Sequence, residues 1–183
     1  MNFTANIAGK PEKFRETRCP LQAFLLALGI AVLIFLPFVL LGRGYFTFFG
    51  DFNVQQIPFY KLAHEAVRSG ELGWNWYTDL DVNVIGSYSF YLLFSPFFWL
   101  TLPFPTVFVP YLMAPLLVLK MACAAFTSCL YLQRFVKNRS YAVIGALLYA
   151  FSGFSIYNIF FNHFHEAIVF FPLMLWGLEK LVM

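Results

Sequence analysis

The sequence predicts an all-α fold, a polytopic bundle of transmembrane helices, and two observations carry that prediction. Of the 183 residues, 61% are hydrophobic and only 11% are charged, whereas a soluble domain carries about 25% charged residues. Residues 21–41 contain no charge and are long enough to cross a bilayer as a helix. The net charge of +3 is small, and no run of basic residues alternates with aromatic ones, so composition indicates a lipid bilayer and no nucleic acid as partner.

Four apolar stretches are expected to span the membrane: about residues 21–41, 106–132, 141–161 and 167–182. Two basic clusters set their orientation, one before the first stretch and one after the second. By the positive-inside rule both clusters face the cytoplasm, so an even number of crossings separates them. The N-terminus is therefore predicted to be cytoplasmic, with residues 44–105 and 162–166 as outer loops. The clusters are Lys10, Lys13, Arg15 and Arg18, then Arg134, Lys137 and Arg139.

A further apolar stretch, residues 86–102, contains Pro96 and is followed by Pro103 and Pro105. Prolines and many aromatic residues favour an interfacial or re-entrant segment covered by protein. The alternative is a fifth span, which would place one basic cluster outside the cell.

The first outer loop is predicted to hold an amphipathic helix. Pro58 suits its first turn and Gly70 suits its end. Its apolar face would lie on the lipid headgroups or pack on the protein's own surface. That face comprises Phe59, Leu62, Ala63, Ala66 and Val67, and the polar face comprises Lys61, His64, Glu65 and Arg68.

Two acidic motifs of this loop are candidates for chemistry. Asp51 stands among Phe48, Phe49, Gly50 and Phe52, so its carboxylate is set in an apolar surrounding close to the membrane. Asp79 and Asp81 form a D-x-D pair, which can chelate a divalent cation such as Mg²⁺ or Mn²⁺ beside a phosphate. A solvated loop aspartate is the alternative in both cases.

The second outer loop holds a dense polar group, His163, His165 and Glu166. Two imidazoles and a carboxylate can bind a metal or carry protons. Loop histidines are also often simply solvated, and a complete zinc site would need a ligand from elsewhere.

Lys120 lies near the middle of the second predicted span. A cation at that depth costs about 2.5–3.5 kcal/mol on insertion scales, which indicates a polar cavity or a partner. Snorkelling along a tilted helix is the alternative. Since removing the charge removes the insertion cost, the sequence predicts that Lys120→Met leaves the protein folded.

Several segments resemble the bacterial membrane protein family YfhO. They run in order from about residue 44 to the end of the chain: Gly50-Asp51 with Gln55 and Pro58-Phe59-Tyr60; Gly86-Ser87-Tyr88 through Ser95-Pro96-Phe97; Leu119-Lys120; Tyr149 to Phe154; and Pro172-Leu173 through Gly177-Leu178-Glu179-Lys180-Leu181. Members of that family are much longer, so the resemblance implies that this chain is the N-terminal part of a longer protein.

The family looks like the GT-C glycosyltransferases, which implies transfer of a sugar from a polyprenyl-phosphate donor to a cell-envelope polymer such as teichoic acid, at the outer face. On that resemblance Asp51 and Glu166 are the catalytic acids, although the family pattern leads one to expect Asp at position 166. The expected substrate-binding residues are Lys120, Gln55, Tyr88, His163 and His165. The D-x-D pair replaces a more Gly-rich stretch and has no family support. A transporter or lipid flippase, or a non-catalytic truncated membrane protein, is the alternative function.

Overall fold

The protein is described by a computed structural model over residues 18–78 and 80–182. Helices dominate it, which confirms the predicted all-α fold class. The helices are α1 (Arg18–Leu41), α2 (Ile57–Ser69), α3 (Val84–Tyr88), α4 (Pro96–Trp99), α5 (Val109–Leu132), α6 (Arg139–Ala150), α7 (Gly153–Tyr157) and α8 (Phe164–Val182). Shorter elements are a π-helical turn (Phe52–Gln56), 3₁₀ turns (Ser89–Tyr91, Thr106–Phe108 and Asn158–Phe160) and a two-stranded antiparallel pair, β1 (Trp74–Asn75) and β2 (Val82–Asn83).

Helix α5 is the centre of the bundle, and α1, α6 and α8 pack around it. Small side chains make this close packing possible, because a membrane bundle gains its stability from van der Waals contact between closely approaching backbones. In α1 the buried face repeats every four residues, and the opposite face consists of exposed leucine, isoleucine and phenylalanine suited to lipid. The buried small residues are Cys19, Ala23, Ala27 and Ala31 in α1, and Ala142, Ala146 and Ala150 in α6.

In the described part of the chain, three helical segments are long and apolar enough to cross a membrane by length and composition: Arg18–Leu41, Thr106–Leu132 and Arg139–Phe160. They coincide with the first three predicted spans. The fourth predicted span lies within α8, which carries Glu166, Glu179 and Lys180 and is not among those candidates. Its crossing, the orientation of the bundle and the outer loops stay predictions.

Helix α2 has the predicted ends, and it packs on the protein. Pro58 lies in its first turn, and Gly70 closes it with φ +78°, a left-handed conformation that glycine adopts without strain. The buried face of α2 contains Tyr60, Ala63 and Ala66 and contacts α5. Of the two expectations for this helix, the structure favours packing on the protein's own surface.

The assignment of His64 to the polar face of α2 was wrong. The imidazole is completely buried, with Nδ1 3.0 Å from Thr106 Oγ1 and Nε2 3.2 Å from the carbonyl oxygen of Thr101. Arg68 on the same helix donates to the carbonyl oxygens of Leu102 and Phe104, at 3.2 and 3.0 Å. These bonds attach α2 to the loop before α5, which helical periodicity alone did not predict.

Residues 86–102 contain only short helical pieces, including α4 and most of α3, which fits the expected non-crossing segment. The tip of the β1–β2 hairpin includes Asp81, which is exposed and has φ +71°. Asp79 lies outside the described residues, so the D-x-D pair stays a prediction.

The predicted orientation can be checked with two isosteric cysteine variants, since Ser69 and Ser140 are both exposed. Native cysteines give little background, because Cys19 and Cys129 are buried and Cys123, half-buried, can be changed to serine. We expect a membrane-impermeant maleimide added to intact cells to label Ser69→Cys and not Ser140→Cys. Labelling of Ser140→Cys before lysis would contradict the topology and favour a fifth span.

Candidate functional site

The side chain of Lys120 is fully buried at the centre of α5 and is held by a set of oxygen atoms. Its Nζ lies 3.0 Å from Glu166 Oε1. It also donates to the backbone oxygen of Asn162 at 3.1 Å, to Asn162 Oδ1 at 3.3 Å and to the hydroxyl of Tyr60 at 3.5 Å. An ammonium has three N–H groups and no acceptor, so these oxygens occupy all of its donors.

Glu166 enters this cluster from the first turn of α8, where a carboxylate is favoured by the helix dipole. Its Oε1 accepts a second hydrogen bond, from Ser95 Oγ at 2.5 Å. Ser95 itself caps α4 by accepting from the backbone N–H of Phe98. The Glu166 side chain is 16% exposed, so the pair with Lys120 is nearly closed to solvent.

Tyr60 and Phe97 bring the first predicted outer loop into the same cluster. Tyr60 projects from α2 and is completely buried, and burial raises the pKa of its phenol, so the hydroxyl stays protonated. Lys120 Nζ lies 5.5 Å from the centre of the Phe97 ring, a favourable cation–π distance. Segments far apart in sequence therefore meet at one buried charge.

His163 extends the cluster toward the π-helical turn. Its Nδ1 lies 3.4 Å from Gln56 Oε1, so the tautomer that donates from Nδ1 fits this contact. The ring packs between aromatic side chains, with centroid distances of 4.8 Å to Tyr91 and 4.5 Å to Phe164. Burial and, after it, the Lys120 cation lower the pKa of His163 to about 4.

His165 is only 2% exposed, and neither ring nitrogen has a hydrogen-bond partner among the described residues. Burial first, and then the Lys120 cation, lower the pKa of His165 to about 3. Gln56 Nε2 and Asn162 Nδ2 are likewise buried without a partner in the described part of the chain. Unpartnered buried polar groups are expensive, and ordered water commonly satisfies them.

Asp51 lies outside the direct contacts of this cluster. It is partly exposed and precedes the π-helical turn, whose last residue, Gln56, contacts His163. Gly50 before it has φ +59°, so the glycine serves the turn conformation; the nearest neighbour of an added Cβ would be Phe160, at an ordinary 3.8 Å. Among the described residues no hydrogen bond or ion pair joins Asp51 to Glu166 or Lys120.

The remaining predicted site residues lie around the cluster. Gln55 is partly exposed, whereas its neighbour Gln56 is buried and makes the contact with His163. Tyr88 is buried, with its ring 4.8 Å from the ring of Phe59. Within residues 18–78 and 80–182, no three His, Cys, Asp or Glu side chains group so as to hold a metal ion. The roles of Gln55, Tyr88 and Asp81 stay predictions.

The sequence pattern did not single out four members of the cluster: Gln56, Tyr60, Ser95 and Asn162. Only their burial in the folded chain distinguishes them from other polar residues of the loops. A usable signal existed for Tyr60, because it lies on the i, i+3 face of α2 with Ala63 and Ala66.

The fold and this cluster define an all-α membrane protein with a buried ion pair in its helical bundle. The family model for the bacterial membrane protein YfhO matches residues 23–183. The chain therefore belongs to the YfhO family, as the resemblance of its motifs suggested. No curated protein and no solved structure matches it.

The ion pair reverses the expectation that Lys120→Met is tolerated. We expect this variant to lose about 3–5 kcal/mol of stability, because Glu166 is left buried without its counter-charge. Thermal unfolding of the detergent-solubilised protein measures the effect. The double variant Lys120→Met/Glu166→Leu should recover much of the loss, and a Lys120→Met variant as stable as the wild type would contradict the pairing.

A pH dependence follows from the two histidines. The unfolded chain takes up protons near the ordinary histidine pKa of about 6.5, while folded His163 and His165 do so only near about 4 and about 3. The contribution of the two histidines to the free energy of unfolding is therefore fully present above about pH 6.5. As the pH drops below that value, the free energy of unfolding falls by about 1.4 kcal/mol per pH unit for each histidine. The free energy of unfolding is measured between pH 7 and 5, roughly the window in which only histidines titrate. In the double variant His163→Gln/His165→Gln we expect it to change little with pH. An unchanged slope in that variant would show that other groups cause it.

Proposed function

We propose that this chain contributes to a membrane glycosyltransferase that uses a polyprenyl-phosphate sugar and acts on a cell-envelope polymer at the outer face. One observation carries the proposal: the buried Lys120–Glu166 pair joins the second predicted outer loop to segments of the first, beside the turn that begins at Asp51. Ionisable groups within a membrane bundle are costly and mark functional sites by default. Neutral imidazoles and amides beside the pair are suited to the hydroxyl groups of a sugar.

The two acids differ in what they can do. Glu166 accepts from both Lys120 and Ser95, so taking up a proton would leave the buried ammonium without its counter-charge. Asp51 is partly exposed, and no hydrogen bond or ion pair holds its carboxylate among the described residues. We therefore assign the general base that activates the acceptor hydroxyl to Asp51, and we treat Glu166 as a positioning residue.

Lys120 also acts as a positioning residue in this proposal. Its donors are occupied by Glu166, Asn162 and Tyr60, so a donor phosphate would have to displace one of them. The role that fits these contacts is to fix the outer segments on α5. Stabilisation of the leaving phosphate then falls to another cation, either a bound divalent metal or a basic side chain.

A transporter or flippase of lipid-linked sugars is the second candidate, and the same ion pair favours it, since buried pairs also line transport pathways. The two functions differ in a measurable way. A flippase moves a fluorescent polyprenyl-phosphate sugar across reconstituted vesicles without breaking the sugar–phosphate bond, whereas the transferase releases polyprenyl phosphate.

Asp51→Asn is expected to abolish sugar transfer while expression and unfolding temperature stay at the wild-type level. The amide keeps the shape of the side chain and cannot take the proton. Transfer of radiolabelled sugar from the lipid donor to envelope polymer in isolated membranes measures it. Val54→Ala, a change at an exposed side chain of the same turn, is the matched control and should keep full activity. A near wild-type rate in Asp51→Asn would remove Asp51 from the base role.

A further inference from the structure

A second concave surface lies on the opposite side of α2 from the Lys120 cluster. It is a cleft of about 350 Å³ between α2 and the β1–β2 hairpin. Polar and aromatic side chains line it, chiefly Glu65 and Ser69 from α2 and Glu71, Asn75 and Tyr77 from the chain leading into and out of β1. The volume falls at the lower end of the usual range for small-molecule sites, which begins near about 300 Å³.

The lining offers the groups that a sugar ring needs. Carboxylates accept hydrogen bonds from sugar hydroxyls, and the amide of Asn75 has its oxygen bound to the backbone N–H of Tyr77 at 2.8 Å, which orients its NH₂ group. Tyr77 is 98% exposed, so its ring face is open to stack on the apolar face of a sugar. Trp74 and Trp76, on the same hairpin, do not line the cleft; they are 54% and 70% exposed and pack edge to face on each other, with ring centroids 5.9 Å apart.

The charge of the cleft selects among sugars. Glu65 and Glu71 both line it, and Glu65 also lies 3.9 Å from Lys61 in an exposed pair. Exposed pairs of this kind are weak, so a bound cation can replace Lys61 at little cost. Two carboxylates repel a phosphate or a uronate, and they attract an ammonium group. The cleft is therefore suited to neutral or amino-bearing sugar units and unsuited to the phosphate portion of an envelope polymer.

We propose that this cleft is a carbohydrate-binding subsite that holds uncharged or amino-bearing sugar units of an envelope glycan. The inference rests on the proposed function, since the glycan bound in the cleft would be the acceptor chain of that reaction. Binding itself does not depend on the reaction, so the two proposals can fail separately. The competing explanation is that Trp74, Trp76 and Tyr77 anchor the loop at the membrane interface.

Three tetrasaccharides of different charge test the proposal by isothermal titration calorimetry on the detergent-solubilised protein. They are tetra-N-acetylchitotetraose, which is neutral, the glucosamine tetramer, which is cationic at mildly acidic pH, and tetragalacturonate, which is anionic. We expect the neutral and cationic tetramers to bind, the cationic one more tightly, and the anionic one not to bind.

Two cleft variants separate stacking from charge. Tyr77→Ala should weaken binding of both tetramers about ten-fold, equivalent to about 1.4 kcal/mol, while Tyr141→Ala, at another exposed tyrosine, on α6, should leave binding unchanged. Glu71→Gln should remove the preference for the cationic tetramer and keep binding of the neutral one.

Three results would overturn the inference: no saturable binding of either expected tetramer, equal binding by Tyr77→Ala and wild type, or equally tight binding of tetragalacturonate. Protection of Tyr77→Cys from a water-soluble maleimide in reconstituted vesicles, together with absent sugar binding, would assign the aromatic residues to the membrane interface. If the tetramers bind as expected while sugar transfer cannot be detected, the cleft stands and the proposed reaction fails.

Discussion

A cation in the middle of an apolar helix imposes one requirement on the rest of the fold: oxygen atoms must reach it without admitting water. Lys120 meets that requirement through Glu166, Asn162 and Tyr60. Each partner belongs to a segment outside α5, so satisfying one charge fixes the position of α2 and of the chain before α8. The ion pair and its hydrogen bonds thus tie α2 and the chain before α8 to one place on α5. The pair therefore contributes specificity of arrangement even if its net contribution to stability is small.

Small side chains supply the complementary constraint. The repeats of alanine and cysteine in α1 and α6 bring their backbones close to α5, and the sulfur atoms of Cys19 and Cys129 lie 3.2 Å apart where α1 and α5 meet. The hydrophobic effect drives helix association only weakly in a bilayer, because hydrocarbon surrounds the helices on every side. Close van der Waals packing holds the helices together instead. Most large apolar residues of α1, Phe35 excepted, consequently face outward, the reverse of a soluble bundle. The spacing of Ala23, Ala27 and Ala31 was readable from the sequence and would have identified the buried face of α1.

The sequence was informative where local physics decides the structure. Apolar length predicted the first three candidate spans, glycine chemistry predicted the end of α2, and the insertion cost of Lys120 predicted a partner or a polar cavity. It was uninformative about which partner, because the contact between Lys120 and Glu166 joins residues far apart in the chain. His64 shows the same limit in reverse. Periodicity placed it on a polar face. The imidazole can be buried because the loop before α5 supplies two oxygens, from Thr101 and Thr106, that pair with its ring nitrogens.

Asp51 and Glu166 differ in the same way: Glu166 is held by a residue far away in the sequence, whereas the surroundings of Asp51 are set by the local turn. An acid that is held by a buried cation is fixed in position and is poorly suited to exchange protons, since each exchange would unbalance the charge beside it. An acid at a glycine-initiated turn on the surface keeps access to solvent and substrate, and a general base needs that access. The carboxylate that best orders the structure is thus a poor candidate for proton transfer. In the proposed reaction the two acids would divide these roles, with Glu166 positioning its neighbours and Asp51 taking the proton, and their segments meet through Gln56 and His163.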